Sequence, residues 1–266
     1  MSRPVAAEHH HRGACILRDC LARVLRGVCL LGAALLLFSQ GAWADLSIVG
    51  TRFIYPQGLA ALSIRVGNLG TAPLLLQTWL DKGDASVDPS RLAVPFVLSP
   101  PLSRLDPQQS AVLSLRHSGE PLPADRESVF WLNFLEVPSL RPLSSNQLSL
   151  SYRLRMKLLY RPKGLPGRAD DAARQLRWSL PGATQAGGAA TLSVSNPTPY
   201  YVSLARVDVG DPRQPMTVQS ITVEPFGSAR LPLSAAPPLG GGATEIRYQV
   251  VLDSGETLSG SVQVQL

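Results

Sequence analysis

Apolar and polar side chains alternate with a period of two along most of residues 45–266, and that period sends successive side chains to opposite faces of a β-strand. The longest such stretch is Gln147 to Pro162. Leu148, Leu150, Tyr152, Leu154, Met156 and Leu158 share one parity, and Ser149, Ser151, Arg153, Arg155 and Lys157 share the other. The pattern predicts one long strand with an apolar face and a basic, hydroxylated face, ended by Pro162, which has no N–H for a sheet ladder. Periodicity leaves two uses open for the apolar face: it lines the protein's own core, or part of it is kept for another chain.

The same reading predicts β-structure on both sides of that strand. LSIVGTRFIYP (46–56) reads as one strand region, followed by LAALSIRVGN (59–68) and APLLLQTWLD (72–81). PFVLSPPLSRLDPQQSAVLSLRH (95–117) reads as two strands broken by Pro100-Pro101 and Pro107, and ESVFWLNFLEV (127–137) as another. DKGDASVDPS (81–90) is expected to be a solvated hairpin: Asp81, Asp84 and Asp88 lack the order of a calcium loop. Short strands with Gly/Pro turns and no convincing amphipathic helix indicate an antiparallel β-sandwich. After Pro162 a polar segment, KGLPGRADDAARQ, allows one helical turn; β-periodicity then resumes from LRWSL (176–180) to the C-terminus. The fold class is therefore all-β, with domains at 45–162 and 163–266 joined by a short Tyr-Arg-Pro hinge and meeting at an angle across a cleft.

Residues 1–44 break the pattern. Arg12, Arg18, Arg23 and Arg26 precede the apolar run Val28–Phe38, and Ala42-Trp43-Ala44 follows. This is the order of a signal peptide, with cleavage expected after Ala44; the run is shorter than the roughly 20 residues a membrane span needs. Cys15, Cys20 and Cys29 all lie in this segment, as do His9, His10 and His11. The mature chain has no cysteine, so an exported fold must hold by burial without disulfides. Five of the 25 basic residues and two of the 19 acidic ones also lie there, which takes the net charge from +6 to +3. A modest positive balance without a Lys/Arg run does not point to nucleic acid.

Catalytic and metal chemistry find little to work with. His117, the one histidine after residue 44, falls in a turn-like RHSGEP segment and is expected to be exposed. Zinc lacks its usual ligands, no phosphate-binding glycine motif is present, and no carboxylate pair stands out for glycoside hydrolysis. Neither an enzyme nor a cofactor is expected; a binding module is.

Several segments then combine. GTRFIYP (50–56), PFVLSPPLSRLDP (95–107), LPADRESVFWLNFLEVP (122–138), LRMKLLYRP (154–162) and NPTPYYVSL (196–204), in order across the mature chain, resemble the periplasmic chaperones of the chaperone–usher pilus pathway. The resemblance implies two immunoglobulin-like domains in an L or boomerang. It also implies a periplasmic chaperone that lends its strand to pilus subunits lacking one and passes them to an outer-membrane usher. By the same resemblance Arg52 and Lys157 anchor the subunit's C-terminal carboxylate; neither is expected to need a partner for folding before the subunit arrives. Leu148, Leu150, Tyr152 and Leu154 form the apolar row of the donated strand, with a tyrosine where the family more often has an aliphatic residue. Glu127, Arg161 and Asp253 fall at an interdomain ion-pair network, and the short loop 138–146 resembles the subfamily that builds rod-like pili. The alternative is an extracellular structural β-protein, a pilus subunit or adhesin; such a subunit would have an incomplete sandwich and an N-terminal donor extension.

Overall fold

The structure, a computed structural model, describes residues 45–89, 92–138, 150–180, 190–233 and 243–265. The leader and its cleavage site, Leu148 and residues 139–146 of the loop before the long strand lie outside the described residues.

The first sandwich contains β1 (Leu46–Ile48), β2 (Arg52–Pro56), β3 (Leu62–Asn68), β4 (Leu74–Asp81), β5 (Phe96–Ser99), β6 (Leu102–Leu105), β7 (Ser110–His117), β8 (Ser128–Pro138) and β9 (Tyr152–Arg161). One sheet has the order β1-β3-β7-β5, the other β2-β9-β8-β4-β6. All pairs are antiparallel except β2 with β9. The inward parities supply the core: Tyr55, Ile64, Leu76, Leu113, Leu132, Phe134 and Leu158 are buried. Each such side chain contributes about 1.5–3 kcal/mol of burial, which is what a fold without disulfides depends on.

Two predicted strand regions divide. Residues 46–56 form two strands in opposite sheets, with the break at Gly50, whose φ of +107° suits glycine. Residues 95–117 form three strands: the Pro100-Pro101 pair ends β5 in one sheet and β6 starts in the other. Prolines cannot donate to a ladder, so this is where the chain changes sheets.

Two polar residues also depart from expectation. His117 is the last residue of β7, half-buried, with its ring 5.2 Å from Phe96 and 5.0 Å from Tyr160. Asp81 ends β4 and is buried; its side chain accepts from the backbone N–H of Gly83 at 2.7 Å, and the loop that follows is tied to it.

The second sandwich starts with a short 3-10 helix, Ala169–Gln175, whose Ala172 and Ala173 are buried. It continues with β10 (Arg177–Ser179), β11 (Thr191–Ser195), β12 (Val202–Val209), β13 (Met216–Val223), β14 (Ser228–Pro232), β15 (Thr244–Val251) and β16 (Thr257–Val264). Its sheets are β10-β11-β14 and β13-β12-β15-β16, closing on Leu192, Val194, Leu204, Val207 and Ile246. The NPTPYY segment forms a buried turn between β11 and β12. Asn196 Nδ2 donates to the Tyr200 carbonyl at 2.7 Å, and its Oδ1 accepts from the Thr198 N–H at 3.0 Å. That turn aims Tyr200 and Tyr201 at the end of β9, where the site begins.

Candidate functional site

β2 and β9 run parallel, and their register sets Arg52 opposite Lys157. Two residues far apart in sequence thus become neighbours because one short strand lies along the end of the long one. Lys157 Nζ donates to Ser203 Oγ at 2.8 Å and to Thr222 Oγ1, both on the second sandwich, and lies 5.6 Å from the centre of the Trp131 ring. Burial, with the nearby Arg52 charge adding to it, pushes the Lys157 ammonium down to about 8. Arg52 Nη1 donates to the Val251 carbonyl at 2.8 Å, and its Nε is buried without a hydrogen-bond partner. Burial also lowers the Arg52 guanidinium, against the pull of Asp253 and Glu127. Both residues thus already have hydrogen-bond partners on the second sandwich. An ammonium has three donors and a guanidinium five, so each still has capacity left. Two converging, partly desolvated cations suit a carboxylate, through charge-assisted hydrogen bonds.

Next along β9, Arg161 joins the two sandwiches. Its Nε donates to Glu127 Oε1 at 2.6 Å and its Nη1 to Asp253 Oδ2 at 2.7 Å, and its guanidinium carbon lies 5.4 Å from the centre of the Tyr200 ring. Glu127 is fully buried and accepts the Tyr201 N–H at 2.8 Å with its other oxygen. Burial raises the Glu127 carboxyl above its usual range despite Arg161. Asp253 sits on the hairpin between β15 and β16. There Gly255 has φ +88°, and a Cβ on it would lie 2.9 Å from the Thr51 hydroxyl, so the hairpin needs glycine to dock beside β2. Glu127, Arg161 and Asp253 are thus brought together.

The other end of β9 is different. β8 pairs with the strand from Tyr152 to Tyr160, but β2 pairs only with Lys157–Arg161. Residues 152–156 therefore present one edge of the strand unpaired by β2. Leu150, Tyr152 and Leu154 are 52%, 62% and 43% exposed, although they share the parity of the buried Met156, Leu158 and Tyr160. The strand itself begins at Tyr152, later than the periodicity predicts.

Five residues of the site were not assigned to it from the sequence. Ser203 and Thr222 hold Lys157. On the polar face, Trp79 and Trp131 lie under the guanidinium groups of Arg153 and Arg155, at 4.8 and 4.7 Å. Asp81 pairs with Arg155 at 2.7 Å. A usable signal existed for the tryptophans, which sit at outward parity in strands flanking a row of cations; nothing local marks the two hydroxyls. Among the described residues no group of His, Cys, Asp or Glu is placed to hold a metal ion, and no helix is long and apolar enough to cross a membrane.

Comparison with known proteins adds identity to this geometry. Residues 45–166 match the family described as pili and flagellar-assembly chaperone, PapD N-terminal domain. Residues 171–262 match pili assembly chaperone PapD, C-terminal domain. The chain is 37% identical over 236 residues to YadV of Escherichia coli K12, described as a probable fimbrial chaperone, covering 85% of this chain and 93% of that one. It is 40% identical over 236 residues to the chaperone protein FimB/FhaD of Bordetella pertussis, covering 86% and 92%. Among solved structures it resembles the YadV chaperone, with TM-score 0.69, 34% identity and coverage of 83% and 100%. It also resembles a chain from the complex of the Salmonella enterica SafA pilin with the SafB chaperone, with TM-score 0.66, 29% identity and coverage of 85% and 99%.

Proposed function

The chain belongs to the PapD-like pilus-assembly chaperones, and from that premise we propose how its own residues capture a pilus subunit. The open half of β9 adds to the edge of a subunit sheet through main-chain hydrogen bonds. Leu148, Leu150, Tyr152 and Leu154 then enter the groove left by the subunit's missing strand, and their alternation sets register. Arg52 and Lys157 hold the subunit's terminal carboxylate at the inner end of that strand. Glu127, Arg161 and Asp253 keep the two domains, 45–162 and 163–266, in the relation this needs. The work takes place in the periplasm after cleavage behind Ala44, and an outer-membrane usher receives the loaded chaperone. The reading assigns no catalytic step. Membership of a chaperone family goes against the alternative of a pilus subunit or adhesin.

One observation carries this reading: core-parity apolar side chains are exposed where β2 leaves an edge of β9 open, next to the paired cations. An exposed row of that kind on a regular edge invites another strand. The test is periplasmic co-expression with a pilus subunit of the host, followed by co-purification. Wild type should recover the subunit. Leu150→Asp, which puts a carboxylate into an apolar groove, should stay folded with unchanged melting and recover none. Recovery at the wild-type level by the folded Leu150→Asp variant would remove donation from this strand.

A further inference from the structure

The open half of β9 is ordered without the burial that orders the rest of the strand. Tyr152 and Leu154 on its core parity are exposed, as is Leu150 just before it, and it has a strand on one side only. Fixing such a segment costs conformational entropy that must be offset by something else. The polar face offers it. Arg153 donates from Nε and Nη2 to Asn133 Oδ1 at 2.9 and 2.7 Å and from Nη1 to the Ala85 carbonyl at 2.7 Å, with Trp79 beneath it. Arg155 donates from Nη2 to Asp81 Oδ1 at 2.7 Å and to the Gly83 carbonyl at 3.2 Å, over Trp131. Asn133 Nδ2 in turn donates to Asp81 Oδ2 at 2.8 Å, and that oxygen lies 3.6 Å from Arg153 Nη2. Asp81 and Asn133 are both buried.

The links made by Arg153 and Arg155 run from β9 back to β8, to β4 or to the loop after β4, and the Asn133–Asp81 bond ties β8 to β4 beneath them. We infer that Asp81, with Asn133, Arg153 and Arg155, is a clamp that holds the open half of β9 extended and in register before any partner arrives. These are positioning residues. They sit on the parity opposite Leu150, Tyr152 and Leu154, so a partner strand entering along the apolar face does not displace them. Pre-ordering the lent strand lowers the entropy that binding must offset, which raises affinity without new contacts. The inference rests on the proposed use of β9, but the clamp itself is measurable without a subunit.

The experiment is amide hydrogen exchange on the mature chain, comparing wild type with Asp81→Asn and with Arg155→Met. The Arg155 side chain is 24% exposed, so the second variant serves if the first does not fold. Amides of 152–156 bonded to β8 should exchange at least about tenfold faster in the variants, while those of 157–160 and of the second sandwich keep their rates. Co-purification of a host pilus subunit should fall with them. Unchanged exchange at 152–156 in a folded variant would overturn the clamp. Faster exchange with full subunit recovery would overturn its positioning role. Full recovery by Leu150→Asp in the same assay would place the failure in strand donation instead.

Discussion

The two halves of β9 belong to one strand and have opposite fates: 152–156 alternates strictly, whereas Leu158-Leu159-Tyr160 is apolar on both parities. From Lys157 to Tyr160 the strand lies between β2 and β8, and Leu158, Leu159 and Tyr160 are 0%, 1% and 6% exposed. Leu159, on the opposite parity, is buried as well. From Tyr152 to Met156 only β8 flanks the strand, and Tyr152 and Leu154 remain exposed. At the strand edge the difference is made by the five-residue β2, whose pairing ends at Arg52. One strand thereby serves as core at one end and as an open edge at the other, with the cation pair at the junction.

The largest effect should come from carrying the Leu150→Asp substitution into the closed half. Leu158→Asp puts a carboxylate where no water reaches, at a cost of about 4 kcal/mol or more. Circular dichroism should show an unfolded first sandwich. A folded Leu158→Asp protein would erase the distinction between the halves.

Arg161→Ala comes next. It leaves the buried Glu127 with only the Tyr201 N–H, a loss of about 3–5 kcal/mol when the carboxylate is ionised. The Glu127 carboxyl already titrates above its usual range through burial, and losing Arg161 raises it further. A folded-state value above the unfolded one gives stability at low pH that is lost as pH rises. The penalty should therefore be greater at about pH 8 than at about pH 5, as denaturant melts will show. Asp253→Ala, at the more exposed end of the network, should cost about 1 kcal/mol or less. Equal effects from both would contradict the asymmetry.

How much of this was legible depends on the range of the cause. Alternation marked β9 and the inward parities of β4, β7 and β8, because a half-buried strand leaves its period in the chain. The split at Gly50 and the crossing at Pro100-Pro101 were not legible as changes of sheet, since a turn residue does not say which sheet receives the next strand. Arg52, Lys157, Glu127, Arg161 and Asp253 were reached by family resemblance, not by pattern. Register then set Arg52 beside Lys157. Asp81 reads as an exposed loop acid until Arg155 from β9 is set against it, and His117 as a turn residue until Phe96 and Tyr160 enclose it. The same limit hid Ser203 and Thr222, which act on Lys157 across 46 and 65 positions.

Those two hydroxyls lead to the third prediction. Because its ammonium is pushed down to about 8, Lys157 has a lower value folded than unfolded. Below about pH 8 both states carry the charge, and the folded state bears the cost of burying it. Between about 8 and 10.5 the unfolded chain holds more protons, so this residue's contribution to stability rises with pH. Lys157→Met should accordingly leave melting at pH 7 unchanged or slightly raised. Subunit capture should fall by about tenfold or more, since a hydrogen bond to a charged group is worth roughly 1.5–3 kcal/mol. In wild type, binding of a subunit-derived peptide with a free C-terminus should weaken as pH rises above about 8, and that of its C-terminal amide should not. Parallel pH profiles for the two peptides would break the link between Lys157 and the carboxylate.

The most direct test uses the absence of cysteine after residue 44. Tyr152→Cys places a single thiol on the open half of β9 and Leu150→Cys one just before it, and Val97→Cys places one on the opposite sheet, where Val97 is 58% exposed. In free chaperone all three should react rapidly with a maleimide. In the purified complex with a pilus subunit, the thiols at 150 and 152 should be protected while the one at 97 reacts as before. Unchanged labelling of Leu150→Cys and Tyr152→Cys in the complex would show that the open half of β9 does not enter the subunit.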